Sequence, residues 1–590
     1  MVKKINTNIV FIALLSLLSI INLLAQKENY ISIVVPEEEV TTTTYSRYRL
    51  AANTLPGSSV SINGENIKVY PSGAFVDLLK LNYGNNEFKI KSTKNGISVN
   101  KQFTIIREDK SLKTTSTSEL IIEDELMLPE DDLWLDAGDI LEVRFKGTPG
   151  CKAYFMDGIE MTELPASENN GVEGIYTGIY TVRDNTNYDN LPINFKLEQD
   201  GESVEKKSKA KVSLIPNKLP RVAVTKGDRP YLNYGLGGNR LGGAKLSFME
   251  AGIKLTINGM SGDQFRVKLT DNYEAWIPKD QVDLLPFGAY PPKSLTDSWA
   301  AYGGKKSDKI IIRMNEKLPY STRQEVDPTR IIVDVYGATS NSNWITQHIN
   351  TEGIKNLYYE QAEKDLFRII IEPTRKQIWG YKIGYSGNTL EIEVKRQSEN
   401  LSFKNLTFVL DAGHGGTNNG SLGSTGLLEK DVTLDIVKRL ETMLRGQGAK
   451  VTTTRDADVY SKNSERLQNI NSSNADILIS IHANSIGYTS DPVKVSGTST
   501  YYKHIAYRPL SVAIYKRMLE LGLEQFGNVG NFNFALNSPT EILNVLVETA
   551  FMSNPNDEMK LMNSEFKDKI CRQIIQGVQD FLFECEDNLN

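Results

Sequence analysis

The chain has 590 residues, 40% hydrophobic and 24% charged, with 44 Gly and 21 Pro spread along it. That is globular composition, with room for about four domains at roughly 150 residues each, and it excludes collagen-like, coiled-coil and wholly disordered chains. Lys and Arg total 67 against 73 Asp and Glu, a formal net charge of -6, which excludes a chain-wide basic footprint for nucleic acid; three Cys exclude a disulfide framework.

The first predicted element is a secretory signal over residues 1–25. Lys3 and Lys4 supply a positive start, residues 9–24 carry no charge, and the small Ala25 precedes the polar Gln26-Lys27-Glu28. The apolar run is shorter than the ~20 residues that span a bilayer comfortably. Cleavage is therefore expected near Ala25. No other stretch reads as membrane-spanning, so the mature protein is expected to be soluble in the periplasm or cell envelope, or secreted.

Four β-rich blocks follow. Residues 30–107 alternate apolar and polar side chains in short bursts punctuated by Pro56-Gly57, Asn63-Gly64 and Gly84-Asn85-Asn86, the pattern of a small β-sandwich. This block resembles the immunoglobulin-like modules that stand in front of exported carbohydrate-active enzymes. Residues 108–125 are charged and Ser/Thr-rich and read as a linker or long loop. Residues 128–215 form a second β-rich block in which 202–210 reads as a charged turn or short edge piece. Residues 219–288 end in Phe265-Arg266-Val267-Lys268-Leu269 and Glu274-Ala275-Trp276-Ile277, and this ending resembles the last strands of bacterial SH3-like barrels. Residues 305–396 carry strand patterns at Lys309-Ile310-Ile311-Ile312-Arg313, at 330–336 and at 390–394. Their order resembles the AMIN domain, a β-sandwich that precedes the catalytic domain in many exported wall amidases.

Near residue 400 the period changes. Leu406-Thr407-Phe408-Val409-Leu410 is a continuous apolar strand, and Val432, Leu434, Ile436, Val437, Leu440 and Leu444 then recur at helical spacing. Strand patterns at 450–452, 477–481 and 543–547 alternate with helical ones at 509–522 and 563–581. The expected fold is an α/β domain over 400–585, behind several N-terminal β-sandwich or SH3-like modules.

The chain has four His. His414, in Asp411-Ala412-Gly413-His414-Gly415-Gly416, and His482, in Ser480-Ile481-His482-Ala483-Asn484, each end a predicted strand, where chemistry collects in open α/β sheets. Glu429 lies between them at a helix start. Two imidazoles and a carboxylate are a common catalytic zinc set with a fourth position open. Glu429 read alone is also a helix-start acid favoured by the N-terminal dipole, although Asp431 can take the capping role. Glu548 ends another strand and is a candidate proton carrier, its alternative being an ion pair with Arg455 or Arg466.

Residues 405–583 resemble the catalytic domain of zinc-dependent N-acetylmuramoyl-L-alanine amidases. The resemblance is carried by residues 411–416, 426–430, Thr454-Arg455-Asp456, 480–484, Gly497 with Tyr501, and 548–554. It implies zinc ligation by His414, Glu429 and His482, catalysis by Glu548, and peptidoglycan as substrate. It further implies a role in wall remodelling or daughter-cell separation, with cell-division or envelope proteins as regulatory partners. The chain departs from the family in having Ala412 where Pro is usual. It also leaves little room between residue 519 and Glu548 for the helical plug of some division amidases. Asn484 is read as an oxyanion donor or a turn cap, His504 as a surface, groove or substrate residue, and His348 as a surface residue. Cys571 and Cys585 could pair. The competing readings are a non-catalytic wall-binding or structural protein, and a zinc hydrolase of another wall substrate.

Overall fold

Alternation of apolar and polar side chains builds most of the first 400 residues into sheets. The computed structural model describes residues 28–587; the signal segment expected over 1–25 lies outside the described residues. The first module pairs a three-stranded sheet (Ile31–Val35, Arg47–Thr54, Ala74–Lys80) with a five-stranded one ending in the hairpin Gly84–Lys94 and Ile97–Arg107. An Asn95-Gly96 turn joins that hairpin, and Phe88 and Phe103 are register partners with ring centroids 5.2 Å apart. Leu50, Phe75, Ile90 and Ile105 form the core between the two sheets.

Residues of the second and third blocks share one sheet of fourteen strands. Leu133–Leu135 is the splice: it runs parallel to Glu202–Leu214 and antiparallel to Lys254–Ser261. Arg266 clamps the join with two bonds to Asp139, at 3.0 and 2.5 Å. The charged stretch 202–210 is no turn. It lies in the long strand Glu202–Leu214, hairpinned with Tyr188–Gln199, with most of its charges on the outer face. Residues 108–125 have little regular structure, yet Ile122 is buried and Glu123 accepts a bond from Lys146 at 2.5 Å, so the end of this stretch is anchored to the second block.

The fourth β region begins at Ser294, ahead of 305. A six-stranded sheet containing Ser294–Gly303, Ser307–Met314 and Thr389–Lys395 packs over a four-stranded sheet of Tyr320–Val326, Thr329–Tyr336, Leu366–Pro373 and Ile354–Glu363. Trp299, Ile310, Ile312, Val333 and Ile369 fill the space between them.

The C-terminal α/β domain runs β1 (Thr407–Ala412), α1 (Glu429–Gly446), β2 (Lys450–Thr453), α2 (Asn463–Ser472), β3 (Ile477–Asn484), β4 (Thr498–Tyr501), α3 (Arg508–Leu519), β5 (Gln525–Val529), β6 (Leu543–Phe551), α4 (Pro555–Met562) and α5 (Ser564–Asp587). The sheet order is β2-β1-β3-β6-β4-β5. β1, β3 and β6 run parallel, while β4 is antiparallel to β6. The apolar runs of β1, β3 and β6 are buried on both faces because helices cover the sheet, as parallel strands require. α1 turns Val432, Ile436, Val437, Leu440 and Leu444 inward. Between α3 and β6 the chain forms β5 and a short 3-10 turn, Ala535–Asn537, and no α-helical plug.

The β modules are docked to this domain. The Trp379 and Phe581 rings lie tilted to each other with centroids 6.0 Å apart, Tyr381 donates its N–H to the Thr540 carbonyl at 2.7 Å, and Lys395 pairs with Asp476 at 2.9 Å. The first module reaches the opposite end of the chain's sequence: Tyr48 stacks on Tyr488 at 5.1 Å, and Asn53 donates to the Ser424 carbonyl at 2.9 Å. Among the described residues no helix is long and apolar enough to cross a membrane. Cys571 and Cys585 are both buried and free.

Candidate active site

The carboxyl ends of β1, β3 and β6 meet at one place, and each delivers one candidate residue. His414 follows β1 on a turn in which its own backbone is left-handed, with φ 63°, a conformation uncommon for a non-glycine residue. Two guanidinium groups hold that turn. Arg455 donates to the carbonyls of Ala412 and Gly413, both at 2.9 Å, and Arg466 to those of Ala412 at 2.7 Å and His414 at 2.5 Å. Arg466 also pairs with the buried Asp411 at 2.6 Å, which Thr454 and Ser480 bond at the same distance. Burial opposes the Asp411 charge, but Arg466, His482 and these hydroxyls hold its carboxyl below the usual range. Both arginines are thus spent on the β1 turn, and neither forms the alternative ion pair with Glu548.

Gly413 is required by proximity. A Cβ there would lie 2.4 Å from the His482 ring. Gly420, at φ +68°, is similar, since its Cβ would meet Glu429 Oε2 at 2.6 Å and the His414 ring at 2.7 Å.

Glu429 is the first residue of α1 and only 2% exposed. Its Oε1 stands 3.1 Å from His414 Nε2 and 3.1 Å from His482 Nδ1. Backbone N–H groups fix the carboxylate: Ala483 donates to Oε1 at 3.0 Å and Ser421 to Oε2 at 2.7 Å. Burial raises the carboxyl's pKa, yet the two histidines outweigh it and hold it well below the ordinary value. Burial likewise disfavours charge on His482, but the bond to and charge of Glu429, with Glu548 and Asp411 nearby, push it up to about 9. Asp431 is exposed inside the first turn of α1 rather than at its cap, which is Leu428 and has no side-chain bond. Glu429 is therefore not a mere helix-start acid: its carboxylate is turned into the sheet.

The ligand atoms of His414, Glu429 and His482 all lie within 4.8 Å of one another. A buried carboxylate whose ion-pair partners are two imidazoles and no Lys or Arg is a donor set that fits a cation. Asn418 stands behind one of its members. Its Oδ1 lies 3.0 Å from His414 Nδ1 and accepts the Gly420 N–H at 3.1 Å, which places the imidazole proton on Nδ1 and leaves Nε2 free to ligate. Sequence reasoning missed Asn418. The only signal for it was an amide four residues after the histidine in a Gly-rich turn.

Glu548 is the register partner of His482 across β3 and β6. Its Oε2 is shut from solvent and has no hydrogen-bond partner. Burial, and to a lesser extent the Glu429 charge, push its carboxyl up to about 7, with His482 and Arg240 pulling the other way. Phe534 meets the His482 ring edge-on at 5.5 Å, and Phe532 lies 4.5 Å from Tyr501, so the segment before β6 walls one side. Asn484 donates to Tyr501 Oη at 3.3 Å, while its Oδ1 accepts the Ser485 N–H at 2.8 Å, a turn-capping arrangement. His504 is half-buried in the lining of a groove, with Nε2 3.0 Å from the Ser538 carbonyl. His348 is exposed, stacked on Tyr302 at 4.7 Å, and far from the site in the fourth β region.

The C-terminal α/β domain thus carries a candidate metal centre at its strand ends. Residues 408–580 match the family described as N-acetylmuramoyl-L-alanine amidase. The chain is 35% identical over 184 residues to the N-acetylmuramoyl-L-alanine amidase LytC of Bacillus subtilis (strain 168), covering 30% of this chain and 35% of LytC. It is 30% identical over 179 residues to the uncharacterized protein YqiI of the same organism, covering 30% of this chain and 84% of YqiI. A solved structure of N-acetylmuramoyl-L-alanine amidase AmiC2 of Nostoc punctiforme is 31% identical, with 30% of this chain and 97% of that one covered and a TM-score of 0.29. The chain thus spans about a third of LytC and most of YqiI, and through its C-terminal domain it belongs to the N-acetylmuramoyl-L-alanine amidase family.

Proposed function

We propose that this protein hydrolyses the amide between the lactyl group of N-acetylmuramic acid and L-alanine in peptidoglycan, with one zinc ion held by His414, Glu429 and His482. The observation that carries the reading is the buried Glu429 carboxylate, paired only with two imidazoles and standing beside the unpaired Glu548. The two His–Glu separations of 3.1 Å, with all three donor atoms within 4.8 Å of one another, would let His414, Glu429 and His482 hold a single zinc ion. When bound, zinc supplies Lewis acidity, favouring deprotonation of water and polarising a carbonyl oxygen.

The protein's own groups do the rest. Asn418 sets the His414 tautomer, and the N–H groups of Ser421 and Ala483 orient Glu429. Glu548, its basicity raised by burial, takes the proton from the attacking water and returns it to the L-alanine nitrogen as the C–N bond breaks. Phe534 and Phe532 shield one flank from bulk water. Digestion of purified peptidoglycan tests the reading: new L-alanine amino termini should appear on released stem peptides. Release of other termini, or glycan cleavage alone, would overturn it.

The cellular reading is that of an exported wall-remodelling or daughter-cell-separating enzyme, freed of residues 1–25 and regulated by envelope or division partners. The uncharged run 9–24 supports export. We read 30–107 as an immunoglobulin-like module, 219–288 as SH3-like, and 305–396 as an AMIN-like module that places the enzyme on the wall.

A further inference from the structure

A cavity of about 1020 Å³ opens where the third β block, the fourth β region and the catalytic domain meet. Six Lys and Arg side chains and five acidic ones line it, and Arg229, Lys245 and Lys503 are the cations that gather around Phe248 and Tyr231. The Arg229 guanidinium lies 4.2 Å from the centre of the Phe248 ring and Lys503 Nζ 5.5 Å from the same ring. Lys245 Nζ sits 4.0 Å over Tyr231, whose ring meets Phe248 edge-on at 6.0 Å. The hydrogen-bond partners of Lys245 and Lys503 are neutral. Lys503 bonds Asn533 Oδ1 at 3.0 Å, and Lys245 bonds Asn233 Oδ1 at 2.9 Å and the Gly243 carbonyl at 3.0 Å. Among the described residues none of the three is in an ion pair within 4.0 Å, although Asp228 and Glu541 act on Arg229 from further away. Burial, then Arg229 and Lys245, depress the Lys503 pKa to about 8, so the cluster is held together against its own repulsion.

A second feature lines the same space. Glu541 lines the cavity, and its Oε2 is shut from solvent with no hydrogen-bond partner. The cavity thus holds three cations outside any ion pair and a carboxylate oxygen without a donor. It is also next to the chemistry. Asn533, which bonds Lys503 and donates to the Gly243 carbonyl at 2.8 Å, is flanked by Phe532 and Phe534, and Phe534 touches His482.

We propose that this interdomain cavity is a subsite for a zwitterionic acidic peptide. Arg229, Lys245 and Lys503 take its carboxylates and Glu541 takes its ammonium. The assignment rests on the amidase reading, because the stem peptide leaving the scissile amide carries side-chain carboxylates and, at a diamino acid, an amine. Extended chain rises ~3.3–3.6 Å per residue, so two or three residues beyond L-alanine extend ~10 Å past the scissile amide. The third block would then contribute specificity that the α/β domain alone lacks. A phosphate-bearing wall polymer would use the cations but leave Glu541 unanswered.

The test is calorimetric titration of the full-length protein with the free tetrapeptide L-Ala-γ-D-Glu-meso-diaminopimelyl-D-Ala. Arg229→Gln and Lys503→Gln should each weaken binding about tenfold or more, with unchanged thermal melting reporting an intact fold. Glu541→Gln should weaken this peptide but not an analogue lacking the side-chain amine. With intact wall fragments, Arg229→Gln should raise KM about fivefold or more while kcat moves less than twofold. Equal affinities in all variants, no binding of the tetrapeptide, or Arg229-dependent binding of a teichoic acid in its place would overturn the subsite. Tetrapeptide binding that depends on Arg229 in a protein that does not cleave the muramyl amide would instead uphold the subsite and overturn the amidase reading.

Discussion

His482 and Glu548 are register partners on adjacent parallel strands, and this pairing places a candidate ligand and an unpaired carboxylate side by side with different partners. His482 faces Glu429, whereas Glu548 Oε2 has no hydrogen-bond partner. The two glutamates of the site should therefore separate experimentally. Glu548→Gln should keep zinc and lose turnover by about 10²–10⁴, the range for a general acid–base. Glu429→Gln should lose zinc as well as activity. Metal content by plasma emission and release of L-alanine termini check both; near-normal turnover of Glu548→Gln would refute the assignment.

Asn418 acts through His414. Without the Asn418 Oδ1 acceptor at 3.0 Å, nothing keeps the ring proton on Nδ1. Asn418→Ala should weaken zinc binding by about 10–100-fold, measured by chelator competition. Asn418→Asp should restore most of it, since a carboxylate accepts the same bond. Equal zinc affinity in the alanine variant would show that the tautomer is set elsewhere.

His504 makes stability pH-dependent. Burial, reinforced by Lys503 and Arg229 and only partly offset by the Ser538 carbonyl, pushes its pKa down to about 4. A depressed folded-state pKa means the unfolded chain binds the extra proton between pH ~6.5 and ~4. Stability is then full above ~6.5 and lost as pH falls through that window, by at most about 3–4 kcal/mol. His504→Gln keeps an N–H for Ser538 but cannot titrate. Its melting temperature should fall less than the parent's between pH 7.5 and 4.5, and parallel curves would contradict this.

The first module braces two loops of the catalytic domain. Tyr48 stacks on Tyr488, Arg49 donates its N–H to the Tyr488 carbonyl at 2.6 Å, and Asn53 holds Ser424. The 421–425 loop includes Ser421, which orients Glu429. Tyr488→Ala should accelerate hydrogen exchange in loops 421–425 and 486–493, with the β3 core remaining protected. Unchanged exchange in both loops would mean that the docking does not brace them.

The positions of the four candidate residues were legible in sequence because their signals are local. A buried strand ending in His, as in Ile477-Leu478-Ile479-Ser480-Ile481-His482, announces both its period and its carboxyl end. The same holds for Val545-Leu546-Val547-Glu548 and for the Gly-rich turn around His414. The roles of Arg455 and Arg466 were not legible. Each is a basic residue in a loop or short helix, and only the fold shows that they clamp carbonyls of the β1 turn.

Hydrophobic period and strand-end punctuation, read along the chain alone, determined that β-rich blocks precede an α/β domain, and that His414, Glu429, His482 and Glu548 stand at its strand or helix ends. Tertiary structure alone decided that the second and third blocks share a sheet, that Tyr48 meets Tyr488, and that Arg229, Lys245 and Lys503 converge on one cavity. The reason is physical. Secondary structure follows from side-chain spacing over a few residues, whereas docking depends on which complementary surfaces meet across hundreds of residues, and no local period encodes that choice.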